Sequence, residues 1–258
     1  MSAIDAHRDT LAAIAARLLR ETREPDISLF PVHMLRDLHA ADEGDVQLED
    51  LLDYISTATD GGISIVTHAG TKQVKVRDKT GLYMMVHALN RGLAAPDLLH
   101  WQDFEKLVTY ALGENGFVTT RNFRFTDPTG KRHEIDVVAA DKFGKEHLLL
   151  AIDAKNWNHK TGSSSKIVEA ANAQFDRAVA LGESKVILAD LLASLGLKWR
   201  NAIILPMVVT LLTPPVQNFF VPITSIMTFN NFIHEFASNM DFFKKKIVNG
   251  IPVQEKIA

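Results

Sequence analysis

The sequence contains no cysteine among its 258 residues. This absence excludes disulfide bonds, zinc sites built on thiolates and cysteine nucleophiles, and it fits a cytoplasmic location. No apolar run reaches about 18 residues, so we expect no membrane-spanning helix. The first ten residues include an early acid and lack the basic-then-apolar order of a secretory signal.

An excess of positive charge is also missing. The 28 basic residues are outnumbered by 31 acidic ones, and the formal net charge is −3. A histone-like protein that coats nucleic acid through bulk charge is therefore disfavoured, although one basic face is enough to contact DNA. The ten histidines show no His-Glu-x-x-His grouping, which argues against a zinc protease.

The N-terminal part has helical spacing followed by alternating strand patterns. Apolar periodicity predicts helices over 3–23, 31–41, 46–58 and 80–93. Between the last two, strands at 63–66 and 74–77 flank Ala69-Gly70, which predicts a hairpin. Helix, turn, helix and hairpin is the order of a winged-helix domain, so we predict a helical, winged-helix-like domain over residues 1–95. The sequence Ala94-Ala95-Pro96 marks the expected boundary.

Basic residues are concentrated on the predicted wing. Lys72, Lys75 and Arg77 are placed to contact DNA phosphates. The predicted recognition helix over 46–58 is acidic, however, and would be repelled by DNA. A role in dimerisation or protein contact is therefore the alternative for this domain.

The second part alternates helices and strands differently. We expect a helix over 100–115, strands over 117–126, 133–140 and 146–154, and a helix over 165–181. Strands over 203–212 and 219–224 follow, with Pro206 at a bulge or a sheet edge, and a helix over 228–247 closes the chain. This order predicts an α/β domain with a mixed sheet over residues 96–258.

Two strand-like segments of this domain end in charged residues. Asp136 lies near the end of one, and Asp153 and Lys155 end the next after a strongly apolar run. Residues two apart on a strand point to the same face. An acid and a base there are destabilising unless they pair or bind a cation. If the strands are neighbours, Asp136 and Asp153 can share a metal ion.

These residues resemble the PD-(D/E)xK nuclease superfamily, especially its Mrr-like and Holliday-junction-resolvase-like branches. The matching positions are Glu105 on a helix, Asp136 on a hairpin strand, Asp153-Ala154-Lys155 on the following strand, and Gln174 on the next helix. The resemblance covers about residues 98–240 by this pattern. It implies a restriction-endonuclease-like mixed β-sheet flanked by helices. One departure is Ile135, which stands before Asp136 where the family name has proline.

The resemblance also implies a chemistry. Asp136, Asp153 and the carbonyl oxygen of Ala154 would hold Mg²⁺, for which Mn²⁺ can substitute. Lys155 would orient the attacking water, and Glu105 would reach metal-bound water or a second metal ion. Gln174 would complete the catalytic set.

The expected activity is hydrolysis of DNA phosphodiesters in restriction or repair. DNA is the expected partner, with Lys160 and Lys166 on a polar loop touching it, and a homodimer is expected because two strands need two cuts.

Simpler interpretations stand beside these. Asp153 and Lys155 could form an exposed edge-strand ion pair, and Glu105 could be an ordinary helix-surface acid. Glu134 is either a spare carboxylate for the site or an exposed strand residue, and Gln174 and Arg177 fit a surface as well as a site. Two other functions are a catalytically inactive DNA-binding or regulatory protein on a nuclease scaffold, and an RNA nuclease of the same fold.

Overall fold

The computed structural model describes residues 7–22, 28–38, 47–89, 99–144, 146–156, 164–211, 214 and 220–253. The chain divides into two compact units, residues 1–103 and 104–258. The expected boundary at residues 94–96 lies outside the described residues, and the division into domains 1–95 and 96–258 stays a prediction. Within the described ranges, no helix is both long and apolar enough to cross a membrane.

The first unit combines helices with a small antiparallel sheet. Its strand order is β1-β3-β2, and β2 and β3 form the predicted hairpin around Ala69-Gly70. In chain order, its elements are α1 (Arg8–Glu21), β1 (Leu29–Pro31), a 3-10 helix (Val32–Leu38), α2 (Leu48–Ala58), β2 (Ile63–His68), β3 (Thr71–Val76) and α3 (Lys79–Leu89).

One helix prediction in this unit was wrong in part. The segment predicted as a helix over 31–41 begins with the end of β1, continues as the 3-10 helix Val32–Leu38, and lies outside the described residues from 39 onward. The reason is tertiary: Phe30 is buried and pairs with Val74 on β3, which holds the chain extended. Pro31 lacks an amide hydrogen and is tolerated on an edge strand.

The second unit contains a six-stranded mixed sheet. Its strand order is β4-β5-β6-β7-β8, and β9 pairs with β7. Strands β4 to β6 run antiparallel, β6 to β8 run parallel, and β9 is antiparallel to β7. The elements are α4 (Trp101–Glu114, which contains the division between the units), β4 (Phe117–Thr126), β5 (Arg132–Asp141), β6 (Leu148–Lys155), α5 (Ser164–Glu183), α6 (Lys185–Ser194), β7 (Asn201–Thr210), β8 (Ile223–Ser225), α7 (Phe229–Glu235) and β9 (Lys246–Asn249).

The periodicity predicted most of these elements. The predicted strands over 117–126, 133–140 and 146–154 and the helix over 165–181 are confirmed as β4, β5, β6 and α5. The three parallel strands β6, β7 and β8 end at the same edge of the sheet. Helix α5 packs on the sheet face that carries Val208 and Ile223, through Ile167 and Ala171. Val208 is the register partner of Asp153, so this face also carries Asp153.

Pro206 lies neither at a bulge nor on an edge strand, so that prediction was wrong. Strand β7 is central, and its register with β6 runs unbroken from Ile203 to Thr210. On the other side of β7, β9 pairs only as far as Ile204 and β8 begins at Val208. The amide of Val208 donates to Pro222 on that side, and the nitrogen of Pro206, two residues earlier, points the same way. Proline is tolerated there because it faces the gap between two partner strands.

The closing helix predicted over 228–247 is wrong in its second half. Helix α7 ends at Glu235, a 3-10 helix covers Phe236–Phe242, and β9 follows. Strand β9 pairs with the start of β7, and Val248 joins the apolar core between the sheet, α5 and α6. Gly182 of α5 lies close to it, since a Cβ there would be 2.9 Å from Val248. Burial therefore selects an extended chain over a longer helix.

Two neighbouring residues of β9 provide a test of this pairing. Val248 is 2% exposed, whereas Ile247 is 58% exposed. We expect Val248→Asp to lower the free energy of unfolding by about 3 kcal/mol or more, because it buries an unpaired carboxylate. Ile247→Asp should change it by less than about 1 kcal/mol. Urea denaturation measures both, and equal losses would contradict the strand.

Candidate active site

The backbone pairing of β5 with β6 ends just before the position at which their acidic residues lie opposite each other. Their ladder pairs Val137 with Ile152 and stops there, so the next position sets Asp136 opposite Asp153. The Oδ2 atom of Asp136 accepts a hydrogen bond from the amide of Ala154 at 2.9 Å. The carboxylate thus takes over the role of a backbone acceptor. Both aspartates lie on one face of the sheet, as expected for neighbouring strands.

Asp153 is a buried carboxylate surrounded by cations. Its Oδ1 atom accepts a hydrogen bond from Lys155 Nζ at 2.7 Å, and Arg177 Nη1 lies 3.6 Å from the same atom. Its Oδ2 atom is buried and has no hydrogen-bond partner. An ionised oxygen without a donor is costly in a buried position. The pair is therefore not the exposed edge-strand ion pair that was the simpler interpretation.

The acidic residues perturb one another. Burial raises the pKa of Asp136 to about 6, and the neighbouring charge of Asp153 acts in the same direction. Burial also raises the pKa of Glu105 to about 7, with the charge of Asp136 as the next cause and Arg121 and Lys155 opposing it. Glu105 is buried on α4, so it is not an ordinary surface acid. Three carboxylates thus share one weakly solvated region.

Helix α5 contributes an amide and a guanidinium group. Gln174 is fully buried, and its Oε1 atom accepts a hydrogen bond from Arg177 Nη1 at 2.8 Å. Its Nε2 atom is buried without a partner. Residues three apart on a helix share one side, which is why Gln174 and Arg177 both reach the end of β6. Gln174 is buried beside the candidate site, and Arg177 is half-buried there with its guanidinium group near Asp153.

Strand β4 is distorted opposite Asp136. Its register with β5 pairs Arg121 with Val137 and Phe123 with Ile135, which leaves Asn122 facing Asp136. Asn122 has a φ of 53°, a left-handed conformation that asparagine tolerates better than most residues. Such backbone conformations cluster at functional sites. The neighbouring Arg121 is exposed and lies near enough to Glu105 to oppose the rise in its pKa.

The remaining predicted residues lie elsewhere. Glu134 is exposed and forms an ion pair with Arg124 at 3.0 Å, so it is chiefly a strand-surface residue. Lys166 is exposed in the first turn of α5, and Lys160 lies outside the described residues. Lys72, Lys75 and Arg77 belong to the first unit, where Lys72 pairs with Glu49 at 3.3 Å.

The oxygen donors of the site fit a divalent cation. Among the described residues, no group of three or more His, Cys, Asp or Glu side chains is arranged as a metal site. Two carboxylates do converge, however, and one oxygen of Asp153 is buried without a donor. The amide of Ala154 points at Asp136, and on a strand the carbonyl of the same residue points to the same side. Hard oxygen donors of this kind fit Mg²⁺ or Mn²⁺.

Comparison with known proteins relates one segment of the chain to a known family. Residues 97–179, less than half of the chain, match the Mrr_cat family, which is described as a restriction endonuclease. The match spans Glu105, Asp136, Asp153, Lys155 and Gln174, and it confirms the Mrr-like resemblance over this segment. No curated protein and no solved structure matches the chain. The mixed sheet flanked by helices is compatible with a restriction-endonuclease-like fold, and the matched segment is similar to restriction endonucleases.

Arg121 was missed by sequence reasoning, and the assignment of Arg177 to a site or a surface was left open. Arg177 follows Gln174 by one helical turn, and that spacing was a usable signal. Arg121 carried no comparable signal, because its position depends on the left-handed backbone at Asn122 and on the register of β4 with β5. Both lie beside buried carboxylates whose charge they offset.

Proposed function

We propose that the protein is a Mg²⁺-dependent endonuclease that hydrolyses phosphodiester bonds in DNA. The observation that carries the proposal is the convergence of Asp136 and Asp153 with Lys155 and Arg177 at the end of β6. Two neighbouring acids with raised pKa values, Glu105 and Asp136, beside fixed cations are typical of a catalytic site. The family match over this segment supports the same class of reaction.

Several residues of the candidate site would have separate roles in the reaction. Lys155 would hydrogen-bond the attacking water and hold it in line with the scissile phosphate. Arg177 and Arg121 would stabilise the negative charge that accumulates on the phosphate oxygens. The amide oxygen of Gln174 accepts a 2.8 Å hydrogen bond that fixes Arg177, and its amide nitrogen, which has no partner, would donate to the site. One P–O bond forms to the water oxygen and one breaks, leaving a phosphate end and a hydroxyl end.

Asp136, Asp153 and the carbonyl of Ala154 would hold Mg²⁺, with Glu105 placed to bind one of its water ligands. When bound, the ion supplies Lewis-acid stabilisation of the phosphate and a more acidic water. The acids would then be deprotonated, since a bound cation favours their charged forms and offsets the burial and mutual repulsion that raise the pKa values of Asp136 and Glu105.

Supercoiled plasmid DNA tests the activity. The wild-type protein should nick or linearise it with Mg²⁺ or Mn²⁺ and fail to do so in EDTA. Asp153→Ala, purified in parallel, should be inactive under the same conditions. Equal cleavage by both proteins would reveal a contaminant and refute the proposal. Preference for an RNA substrate would show that the protein is an RNA nuclease instead.

A catalytically inactive DNA-binding or regulatory protein is the second candidate function. No observation favours it, because the acidic and basic positions of the motif are occupied by Asp136, Asp153 and Lys155 and lie together. Plasmid binding without cleavage would support it. We further propose a cytoplasmic location and a homodimer, in which each subunit cuts one strand.

For the first unit we propose a winged-helix domain that contacts DNA through its hairpin. Its order of helix, strand, helical turn, helix and hairpin, with the sheet order β1-β3-β2, supports this proposal. Helix α2 is a poor DNA reader because its first turn carries Glu49 and Asp50. Glu49 also neutralises Lys72, which leaves Lys75 and Arg77 as the exposed cations best placed for phosphates.

Charge removal on the hairpin tests this contact. The variant Lys75→Ala with Arg77→Ala should weaken binding to any DNA sequence by about threefold to tenfold and reduce the salt dependence of binding. Fluorescence anisotropy at several salt concentrations measures both. Lys72→Ala, already paired with Glu49, is the matched control and should have a smaller effect. Unchanged affinity in the double variant would favour dimerisation or protein contact instead.

A further inference from the structure

An aromatic pocket opens at the edge of the sheet where the parallel strands end. Its volume is about 750 Å³, within the range of small-molecule sites. We define the aromatic pocket by five phenylalanines that line it: Phe220, Phe232, Phe236, Phe242 and Phe243. None of these residues belongs to the candidate active site.

The aromatic pocket lies close to that site across the sheet. Asp153 of β6 pairs with Val208 of β7, and Val208 pairs with Ile223 of β8, which lines the pocket. Two strand spacings separate β6 from β8, a distance of about 10 Å. This distance is short enough for one nucleic-acid strand to reach both places.

The rings are arranged as a floor and a rim. Phe232 lies against Phe236 and Phe243, with ring centroids 5.9 and 6.2 Å apart. Phe220 and Phe242 at the rim are 61% and 75% exposed. Large exposed apolar side chains that line a concave surface indicate a binding site. Flat aromatic faces are the surfaces on which unstacked nucleobases stack.

Polar groups on α7 narrow the choice of ligand. Asn231 and Glu235 both line the aromatic pocket and lie one helical turn apart. A side-chain amide can pair with the edge of a base, and a carboxylate accepts hydrogen bonds from an exocyclic amino group. The same carboxylate repels a phosphate. The pocket interior therefore suits a base and not the sugar–phosphate backbone.

A cation at the rim of the aromatic pocket is suited to the sugar–phosphate backbone of DNA. The ammonium group of Lys244 lies 5.5 Å from the ring centre of Phe220 and 5.3 Å from that of Phe175 on α5. Within the described part of the chain, no carboxylate forms an ion pair with it. Phe175 adjoins Gln174 of the candidate active site in sequence. Lys244 thus contacts both the rim of the aromatic pocket and helix α5, where its charge can attract a phosphate of a bound strand.

We propose that the aromatic pocket binds one unstacked nucleobase, bearing an exocyclic amino group, from the DNA strand that enters the candidate active site. This inference rests on the proposed function for its ligand, DNA. Its energetic basis is stacking on the phenylalanines, a hydrogen bond to Glu235 or Asn231, and the charge of Lys244. A base that is already unpaired needs less free energy to leave the helix than a paired base does, and it should bind best.

Fluorescence anisotropy of a labelled 20-base-pair duplex tests the pocket. The duplex carries either one unpaired adenine or an abasic nucleotide at the same place, and all proteins carry Asp153→Asn so that cleavage does not interfere. The parent should bind the adenine duplex about tenfold more tightly than the abasic one. Adding Phe220→Ala or Phe242→Ala should abolish this ratio, and both rings are exposed enough that folding is preserved.

A matched control lies at the opposite end of the sheet. Phe143 is 81% exposed beneath Lys142, whose ammonium group is 5.6 Å from its ring centre, much as Lys244 is from Phe220. Adding Phe143→Ala should preserve the tenfold ratio, since it lies at the far end of β6, about 20 Å or more from Lys155.

Equal binding of the two duplexes by the parent protein would overturn the inference, as would an equal effect of Phe143→Ala. Self-association that Phe220→Ala abolishes, without a base preference, would make the pocket an interface between copies and also overturn it. Plasmid cleavage by the wild-type protein is measured separately. If the wild type cleaves but the parent shows no base preference, only the proposal for the aromatic pocket is refuted. If the parent shows the base preference but the wild type does not cleave, only the proposed activity is refuted.

Discussion

Lys155→Gln is expected to reduce the rate of DNA cleavage by about 10²- to 10⁴-fold while leaving the protein folded. The ammonium group donates a 2.7 Å hydrogen bond to Asp153 Oδ1, and in the proposed mechanism the same group orients the attacking water. The loss should appear mainly in kcat, because the interaction with the reacting water strengthens in the transition state. Single-turnover cleavage of a labelled duplex measures it.

Folding should survive because Asp153 keeps a second cation. Arg177 lies 3.6 Å from the same oxygen and can approach when Lys155 is removed. Lys155→Gln combined with Arg177→Gln should therefore be far less stable than either single variant, since a buried carboxylate then lacks any cationic partner. Lys198→Gln, an exposed change just before β7, is the control for charge alone. Full activity of Lys155→Gln would show that another group orients the water.

The second large effect is expected for Asp136→Asn, which should gain stability and lose activity. Without divalent ions, Asp136→Asn should raise Tm at pH 8 by about 3–8 °C, because it removes a buried charge that Asp153 opposes. The amide oxygen can still accept the hydrogen bond from Ala154. Cleavage should fall by about a thousandfold or more, and Mg²⁺ should no longer stabilise the variant. Differential scanning calorimetry with and without Mg²⁺ measures the changes in stability.

The same acids give the wild-type protein a defined pH dependence. The folded-state pKa values of Asp136 and Glu105 are raised to about 6 and 7, so the folded state binds more protons than the unfolded state between about pH 4 and 7. Stability without metal should therefore increase as the pH falls from 8 to 5. Asp136→Asn should flatten this slope, whereas the exposed Asp176→Asn should not. A wild-type protein that is most stable at pH 8 without metal would contradict the raised pKa values of these two acids.

The central part of the site was predictable because it depends on local rules. Alternation along β6 sets Asp153 and Lys155 on one face, and the hairpin order brings Asp136 beside them. Helical spacing links Gln174 to Arg177 in the same way. These relations involve residues close in sequence or on adjacent strands. Periodicity alone therefore indicated them before any long-range contact was known.

Other features depend on contacts between distant segments. The pairing of β9 with β7, the position of Pro206 between two partner strands, and the left-handed Asn122 that accompanies Arg121 all follow from register across the sheet. Phe220 and the aromatic residues of 232–243 meet beside β8 only because the chain folds back on itself. No local pattern encodes such meetings.

The sequence by itself determined the motif, two aspartates and a lysine on adjacent apolar strands, and the nuclease resemblance that follows from it. Local periodicity was sufficient because side-chain direction along a strand or helix is set by backbone geometry. Only the tertiary structure decided the burial of Asp153 and Glu105, their shared electrostatic field, and the pocket two strands away. Burial and long-range electrostatic interactions depend on which distant segments pack together and exclude water, and the spacing of residues in the sequence does not specify those contacts.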